Sequence, residues 1–245
     1  MSARATFATA RRVLWQIRRD PRTVALLIGV PSGMMFLLKL VLEDREATFQ
    51  FIGIPLLGLF PLISMFLVTS ITMLRERSTG TLERLMTMPI SKLDVLAGYG
   101  LAFGLLAVLQ GAVVSAVGFG LLGLDANHPI LVVIGLAVAN ALLGMSLGLS
   151  LSALARTEFQ AVQFMPAIIF PQLLLCGLLV ERSQMSPVLE AISNVLPMTY
   201  AYDALDRVAT SPELGSEVTT DVVVVIGVTL VALALGALTL RRRTL

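Results

Sequence analysis

The chain has 245 residues, 56% of them hydrophobic and 14% charged, with a formal net charge of +2 and a mean hydropathy of +0.88. Soluble domains carry about 25% charged and about 45–50% apolar residues, so this is a membrane protein, and its length suits one helical bundle over 1–245 rather than two domains. The single cysteine, Cys176, and the single histidine, His128, exclude an internal disulfide framework and a clustered Cys/His metal site.

The first 22 residues carry six arginines and lack the apolar core and cleavage site of a signal peptide. Over 2–20, helical spacing puts Phe7, Ala10, Val13, Leu14 and Ile17 on one side. Arg4, Arg11, Arg12, Arg18 and Arg19 fall on the other, with Trp15 among them. This pattern predicts an amphipathic helix lying in the membrane interface on an anionic leaflet, a reading that membrane proximity favours over a nucleic-acid-binding arm. Pro21 breaks it. The first span, 24–42, has 19 residues, about 28 Å of helix against a hydrocarbon core of about 30 Å. After a short acidic loop comes 51–74, with Pro55 and Pro61 as expected kinks.

The polar stretch Arg75–Lys92 interrupts the apolar pattern. Thr79 and Gly80 can cap a helix start, and Leu82, Leu85 and Met86 then form one apolar stripe. Glu83, Arg84 and Thr87 point elsewhere, and Pro89 ends the pattern. A helix of that size, too short to cross a bilayer, suits docking into a partner's groove; an ordinary interfacial loop helix is the plainer reading. The remaining spans are expected at 95–124, 130–154, 160–180 and 221–240, with Pro166 and Pro171 bending the fifth. Between the last two, 182–209 reads as two short amphipathic helices separated by Pro197, each below the roughly 17 residues a crossing needs.

Six spans put both termini on one side. If that side is inside, then 14 of the 18 Lys and Arg residues lie inside, leaving only Lys39, Arg45, Arg182 and Arg207 outside, which fixes the orientation. The fold class expected is therefore all-α: a polytopic protein with six transmembrane helices and an external helical hairpin before the last.

Several motifs point away from chemistry in this chain. Gly144-Met145-Ser146-Leu147-Gly148 matches a serine-hydrolase elbow, but it sits mid-span, far from the only histidine. The same residues form G-x-x-x-G, as do Gly29/Gly33 and Gly100/Gly104, a spacing that lets helices approach closely. No phosphate-binding loop precedes either lysine, Lys39 or Lys92. Span centres lack acids, which argues against a proton-driven pump. Gln110, Asn140, Gln163 and Gln172 are the uncharged polar residues of the spans. They either hydrogen-bond across helices or line a largely apolar substrate path suited to amphiphiles.

Glu76 with Gly80-Thr81-Leu82-Glu83 and Pro89 resembles the cytoplasmic signature of ABC-2 type transporter permeases. Leu196-Pro197-Met198-Thr199-Tyr200-Ala201-Tyr202-Asp203-Ala204-Leu205 is similar to that family's segment before its last membrane helix. The daunorubicin-resistance type of multidrug exporter looks closest. The resemblance implies that 79–89 is a coupling helix seated in a cleft of a separate ATP-binding subunit, with Arg75, Glu76, Thr79, Gly80, Thr81, Leu82, Glu83, Leu85, Met86 and Pro89 at that junction. It also implies a homodimer of this chain with two ATPase copies, in the bacterial cytoplasmic membrane, with ATP and Mg2+ bound only by the partner. It further implies that the 182–209 hairpin is re-entrant or interfacial. Two rivals stand beside this: a non-transporting membrane anchor or assembly factor, and an intramembrane lipid-modifying enzyme, for which no cluster of acids, histidines or reactive cysteine is found.

Overall fold

A computed structural model of the chain describes residues 2–81, 84, 91–211 and 213–238. Among these residues every regular element is helical. The helices are α1 (Ala3–Arg18), α2 (Pro21–Val41), α3 (Glu46–Ser78), α4 (Lys92–Gly120), α5 (Ile130–Leu151), α6 (158–175), α7 (Pro187–Ser193), α8 (Pro197–Thr210) and α9 (Ser216–Leu238). Five of them, α2, α3, α5, α9 and α4 from Ala97 onward, are long and apolar enough to cross a membrane. α6 is helical throughout, but Glu158, Gln160, Gln163 and Gln172 leave it outside that group. This is an all-helical, polytopic membrane protein.

α3 is the axis of the bundle. In its most apolar stretch 72% of residues are buried, against 17% in α2 and 22% in α9. It begins at Glu46 rather than at Phe51 because the acidic end is held by side chains. Glu46 pairs with Lys39, and Gln50 donates to the Gly123 carbonyl at 2.8 Å and accepts from the Asp125 N–H at 2.9 Å. Pro55 and Pro61 lie inside it without ending it.

Close backbone approach fixes how α5 crosses α3. A Cβ on Gly144 would lie 2.0 Å from the Leu62 carbonyl oxygen, and one on Gly148 would lie 2.4 Å from that of Phe66. Of the three G-x-x-x-G pairs, this is the one that packs a helix among the described residues: there Gly29, Gly33 and Gly100 have nothing within 4 Å, and Gly104 has only Leu142 at 3.7 Å. Ser146 donates to the Leu143 carbonyl at 2.8 Å, an ordinary helix-internal bond.

The polar residues of the spans take separate places. α2 carries a π-helical turn at Ala25–Gly29, just before Pro31. An α-helical ladder would pair the Leu27 carbonyl with the N–H of residue 31, which proline lacks. Gln110 of α4 takes that place, donating to Leu27 O at 2.7 Å and also bonding Ser64 of α3. Asn140 of α5 donates to the Ala201 carbonyl of α8 at 3.0 Å. Gln172 bonds Ile168 within α6 at 3.1 Å, and Gln163 faces outward. Gln110 and Asn140 therefore cross-link helices.

The remaining elements close the bundle. α4 ends at Gly120, where the chain turns through Gly123 (φ +72°) and tucks Leu124 against Gly53 and Gly118. In the 182–209 stretch, Pro197 starts α8 rather than separating two helices, since the first helical position needs no N–H. The inner face of α8, including Met198, Ala201, Leu205 and Val208, is buried. The loop before α5 clasps its C-terminal end: Asn127 donates to the Ala209 carbonyl at 2.8 Å, and a ring nitrogen of His128 lies 2.8 Å from that of Ser211.

Candidate functional site

The site lies where α1, α3, α4 and α6 meet at the end of α3 that the sequence marks as basic. α3 stops at Ser78 because Gly80 adopts φ +69°, the left-handed conformation that glycine takes at low cost. The Thr79 hydroxyl donates to the Arg75 carbonyl at 2.8 Å and lies 3.0 Å from that of Thr81. The Arg84 N–H returns to the Gly80 carbonyl at 3.0 Å, a helical bond where the sequence predicts a new start. Leu82, Glu83, Leu85, Met86 and Pro89 lie outside the described residues.

Glu76 is the centre of the junction and is only 7% exposed. Arg12 of α1 reaches it with both terminal nitrogens, Nη1 at 3.2 and 3.3 Å and Nη2 at 3.1 Å. The Tyr99 hydroxyl of α4 donates to Oε2 at 2.7 Å, and Gln16 Nε2 to Oε1 at 3.1 Å. The guanidinium of Arg12 also stands 5.7 Å from the Tyr99 ring centroid. A buried carboxylate must be paired and hydrogen-bonded, and here two helices, α1 and α4, supply the partners. Burial opposes the charged form of Arg12, but its bonds to Glu76 and Tyr99 outweigh this and raise its pKa.

Arg75, one residue earlier, faces the surface and joins two other elements. It binds Glu158 at the start of α6 in a bidentate pair, 2.8 and 3.0 Å, and lies 3.8 Å from Asp20. Asp20 caps α2, accepting from the N–H groups of Arg22 and Thr23 at 3.2 and 3.3 Å and from the Thr23 hydroxyl at 2.8 Å. The Thr23 hydroxyl bond chiefly holds its carboxyl below the usual carboxylate range, against the smaller effect of burial. A cleft of about 340 Å³ opens among Gln16, Asp20, Thr72, Arg75, Glu76, Thr79 and their neighbours.

Of the residues that the sequence assigned to this junction, Arg75, Thr79, Gly80 and Thr81 lie at its surface, while Glu76 is turned inward and engaged by α1 and α4. Sequence reasoning missed Arg12, Gln16, Asp20, Tyr99 and Glu158. The signal for the first two was their four-residue spacing at the edge of the α1 stripe. The Ser91–Asp94 capping box at the start of α4 was also written in the sequence, as Ser-x-x-Asp.

α1 itself docks differently from the expectation of an apolar stripe laid in lipid. Thr9, Ala10, Val13 and Ile17 are buried within the protein, the last three in one cluster with Val95, Tyr99, Ala102 and Phe103 of α4. The contact is close at Gly98, where a Cβ would lie 2.5 Å from Thr9 Cβ. The amide of Ser2 donates to Asp94 at 2.8 Å and fixes the start of α1.

Comparison with known proteins bears on what this junction serves. The sequence is 28% identical over 138 residues to ABC transporter G family member 20 of Dictyostelium discoideum, covering 56% of this chain and 19% of that protein. It is 24% identical over 140 residues to the probable multidrug ABC transporter permease YbhS of Escherichia coli K12, covering 57% of this chain and 37% of that one. It is 24% identical over 153 residues to the probable multidrug ABC transporter permease YbhR of the same strain, covering 62% and 42%. The chain thus spans less than half the length of these curated relatives. A sequence model of the ABC-2 type transporter family matches residues 4–208, from α1 into α8, and the chain belongs to that family.

Proposed function

We propose that this chain is the membrane subunit of an ATP-driven exporter that moves an amphiphilic, drug-like or lipid substrate out across the bacterial cytoplasmic membrane. A separate ATP-binding subunit, present in two copies, supplies the energy, and the chain pairs with a second copy of itself. ATP and Mg2+ reside on the partner. Both termini and the junction around Glu76 face the cytoplasm, α6 makes the sixth crossing, and the α7–α8 hairpin is external. Family membership supports the kind of machine, and the charge distribution supports the orientation.

The observation that carries this reading is the junction. The segment that the resemblance marks as the coupling helix leaves α3 directly after a buried ion pair joining α1, α3 and α4. A displacement delivered there would be shared by three helices at once, which is what switching access between two states demands. The apolar character of the spans favours an amphiphilic cargo over ions or sugars. Reconstitution of the full chain with its ATPase subunit in proteoliposomes, followed by ATP-dependent movement of daunorubicin, tests the proposal. Glu83→Lys should insert normally yet abolish transport, whereas the chain alone should hydrolyse no ATP. Transport that persists unchanged in Glu83→Lys would remove the coupling role, and movement of substrate without ATP would remove the exporter.

A further inference from the structure

Docking of the apolar stripe of α1 onto α4 leaves its opposite face outward. The uncovered surface carries Arg4, Arg11, Arg18 and Arg19, all exposed, with Trp15 at 52% exposure, and also Phe7, which helical spacing grouped with the stripe but which the docking leaves 65% exposed. The guanidinium carbons of Arg18 and Arg19 stand 5.7 and 5.4 Å from the Trp15 ring centroid. Residues 1–19 contain no acid. Among the described residues the nearby carboxylates are already used: Glu76 holds Arg12, Asp94 holds the Ser2 amide, and Asp20 caps α2 and faces Arg75. Four cationic side chains and two large aromatic ones thus share this surface, six residues or fewer from Pro21 in the case of Trp15, Arg18 and Arg19. Pro21 begins a helix long and apolar enough to cross the membrane.

We propose that this face binds the phosphate headgroups of anionic phospholipids in the leaflet beside α2. An indole and guanidinium groups at the membrane boundary match a lipid surface: the ring sits at headgroup level while the cations meet phosphate. The proposal inverts the reading from sequence, because the face that meets lipid is the basic-aromatic one, the apolar stripe being occupied by protein. It needs only that the chain is embedded in a membrane and stands apart from the export reading.

Trp15 is the only tryptophan, so its fluorescence reports on α1 alone. The full-length chain is reconstituted in phosphatidylcholine vesicles containing an equal fraction of either acyl-brominated phosphatidylglycerol or acyl-brominated phosphatidylcholine. At equal bromine content the anionic lipid should quench Trp15 at least about twofold more strongly, and high salt should narrow the difference. Arg11→Gln, Arg18→Gln and Arg19→Gln combined should abolish the preference while leaving quenching by the neutral lipid. Equal quenching by the two lipids in the wild-type protein would overturn the proposal, as would a preference that survives the triple variant. Absence of quenching by either lipid would place the face in water, as an acidic protein partner would require, and would also overturn it. The wild-type comparison decides the matter even if the triple variant fails to fold.

Discussion

Removing Arg12 should damage this protein more than removing both members of its ion pair. Glu76 has 8% of its side chain exposed and Arg12 has 28%. Arg12→Leu would leave the carboxylate buried with only Tyr99 and Gln16 as donors. Breaking a buried pair by deleting one partner costs about 3–5 kcal/mol. The partial exposure of the arginine argues for the lower end, about 3 kcal/mol. Glu76→Leu strands a guanidinium that can turn toward water, and should cost about 1–2 kcal/mol. The double variant removes charge and partner together and should cost less than Arg12→Leu alone, giving a coupling energy of about 2–4 kcal/mol. Tyr99→Phe, which removes one donor and keeps the ring, should cost about 1 kcal/mol. The measurement is reversible unfolding by sodium dodecyl sulfate in mixed micelles, followed by far-ultraviolet circular dichroism. Costs that add to within about 0.5 kcal/mol would refute the reasoning, because groups with no mutual contact behave that way.

Three other outcomes are expected. Gly144→Ala drives a methyl group into the Leu62 carbonyl and should lower stability by about 1–3 kcal/mol, whereas Gly135→Ala, with nothing within 4 Å, should be neutral or stabilising by the same assay. Gln110→Leu should cost about 1–3 kcal/mol by leaving the Leu27 carbonyl without its donor. Pro31→Ala should recover part of this by restoring a backbone N–H at the position that an α-helical ladder uses; an unchanged cost in the double variant would exclude that account. Finally, burial raises the pKa of Asp206 in α8 above the usual carboxylate value. Such an acid contributes its full stability below its unfolded pKa and loses it as pH rises through the folded one. Asp206→Asn, which keeps an acceptor for Tyr202, should therefore raise the thermal midpoint at pH 7, with the gain shrinking toward about pH 4.

The sequence made the local structure legible and the long-range pairing mostly illegible. Helical periodicity found the stripe of Thr9's neighbours Ala10, Val13 and Ile17, because spacing along a helix is a local property. It could not say whether lipid or Val95 and Tyr99 would cover that stripe, since both are apolar surroundings. The Gly144/Gly148 spacing was readable as a packing device, but so was Gly29/Gly33, and only the neighbouring backbone separates the two. Arg12 read as one more cation on a polar face, because its partner Glu76 lies 64 residues away. The polar span residues looked alike on paper. Gln110 differs because a proline in another helix leaves a carbonyl for it to satisfy.

The length of α3 has a mechanical consequence. Its 33 residues make a rod of about 50 Å, some 20 Å longer than the hydrocarbon core. Near its middle it bears on α5, where the absent side chains of Gly144 and Gly148 let backbone rest against Leu62 and Phe66. Such a bearing can act as a fulcrum. A swing of about 5° would move Glu76, some 21 Å away, by about 2 Å, and would carry Glu46 a similar distance in the opposite direction. On the far arm, Gly58 lies against Leu205 of α8, too close for a Cβ, which would stand 2.3 Å from Leu205 Cδ1. If α3 turned about its contact with α5 as a rigid rod, a push at the junction would reach the hairpin with its direction reversed, as across a first-class lever.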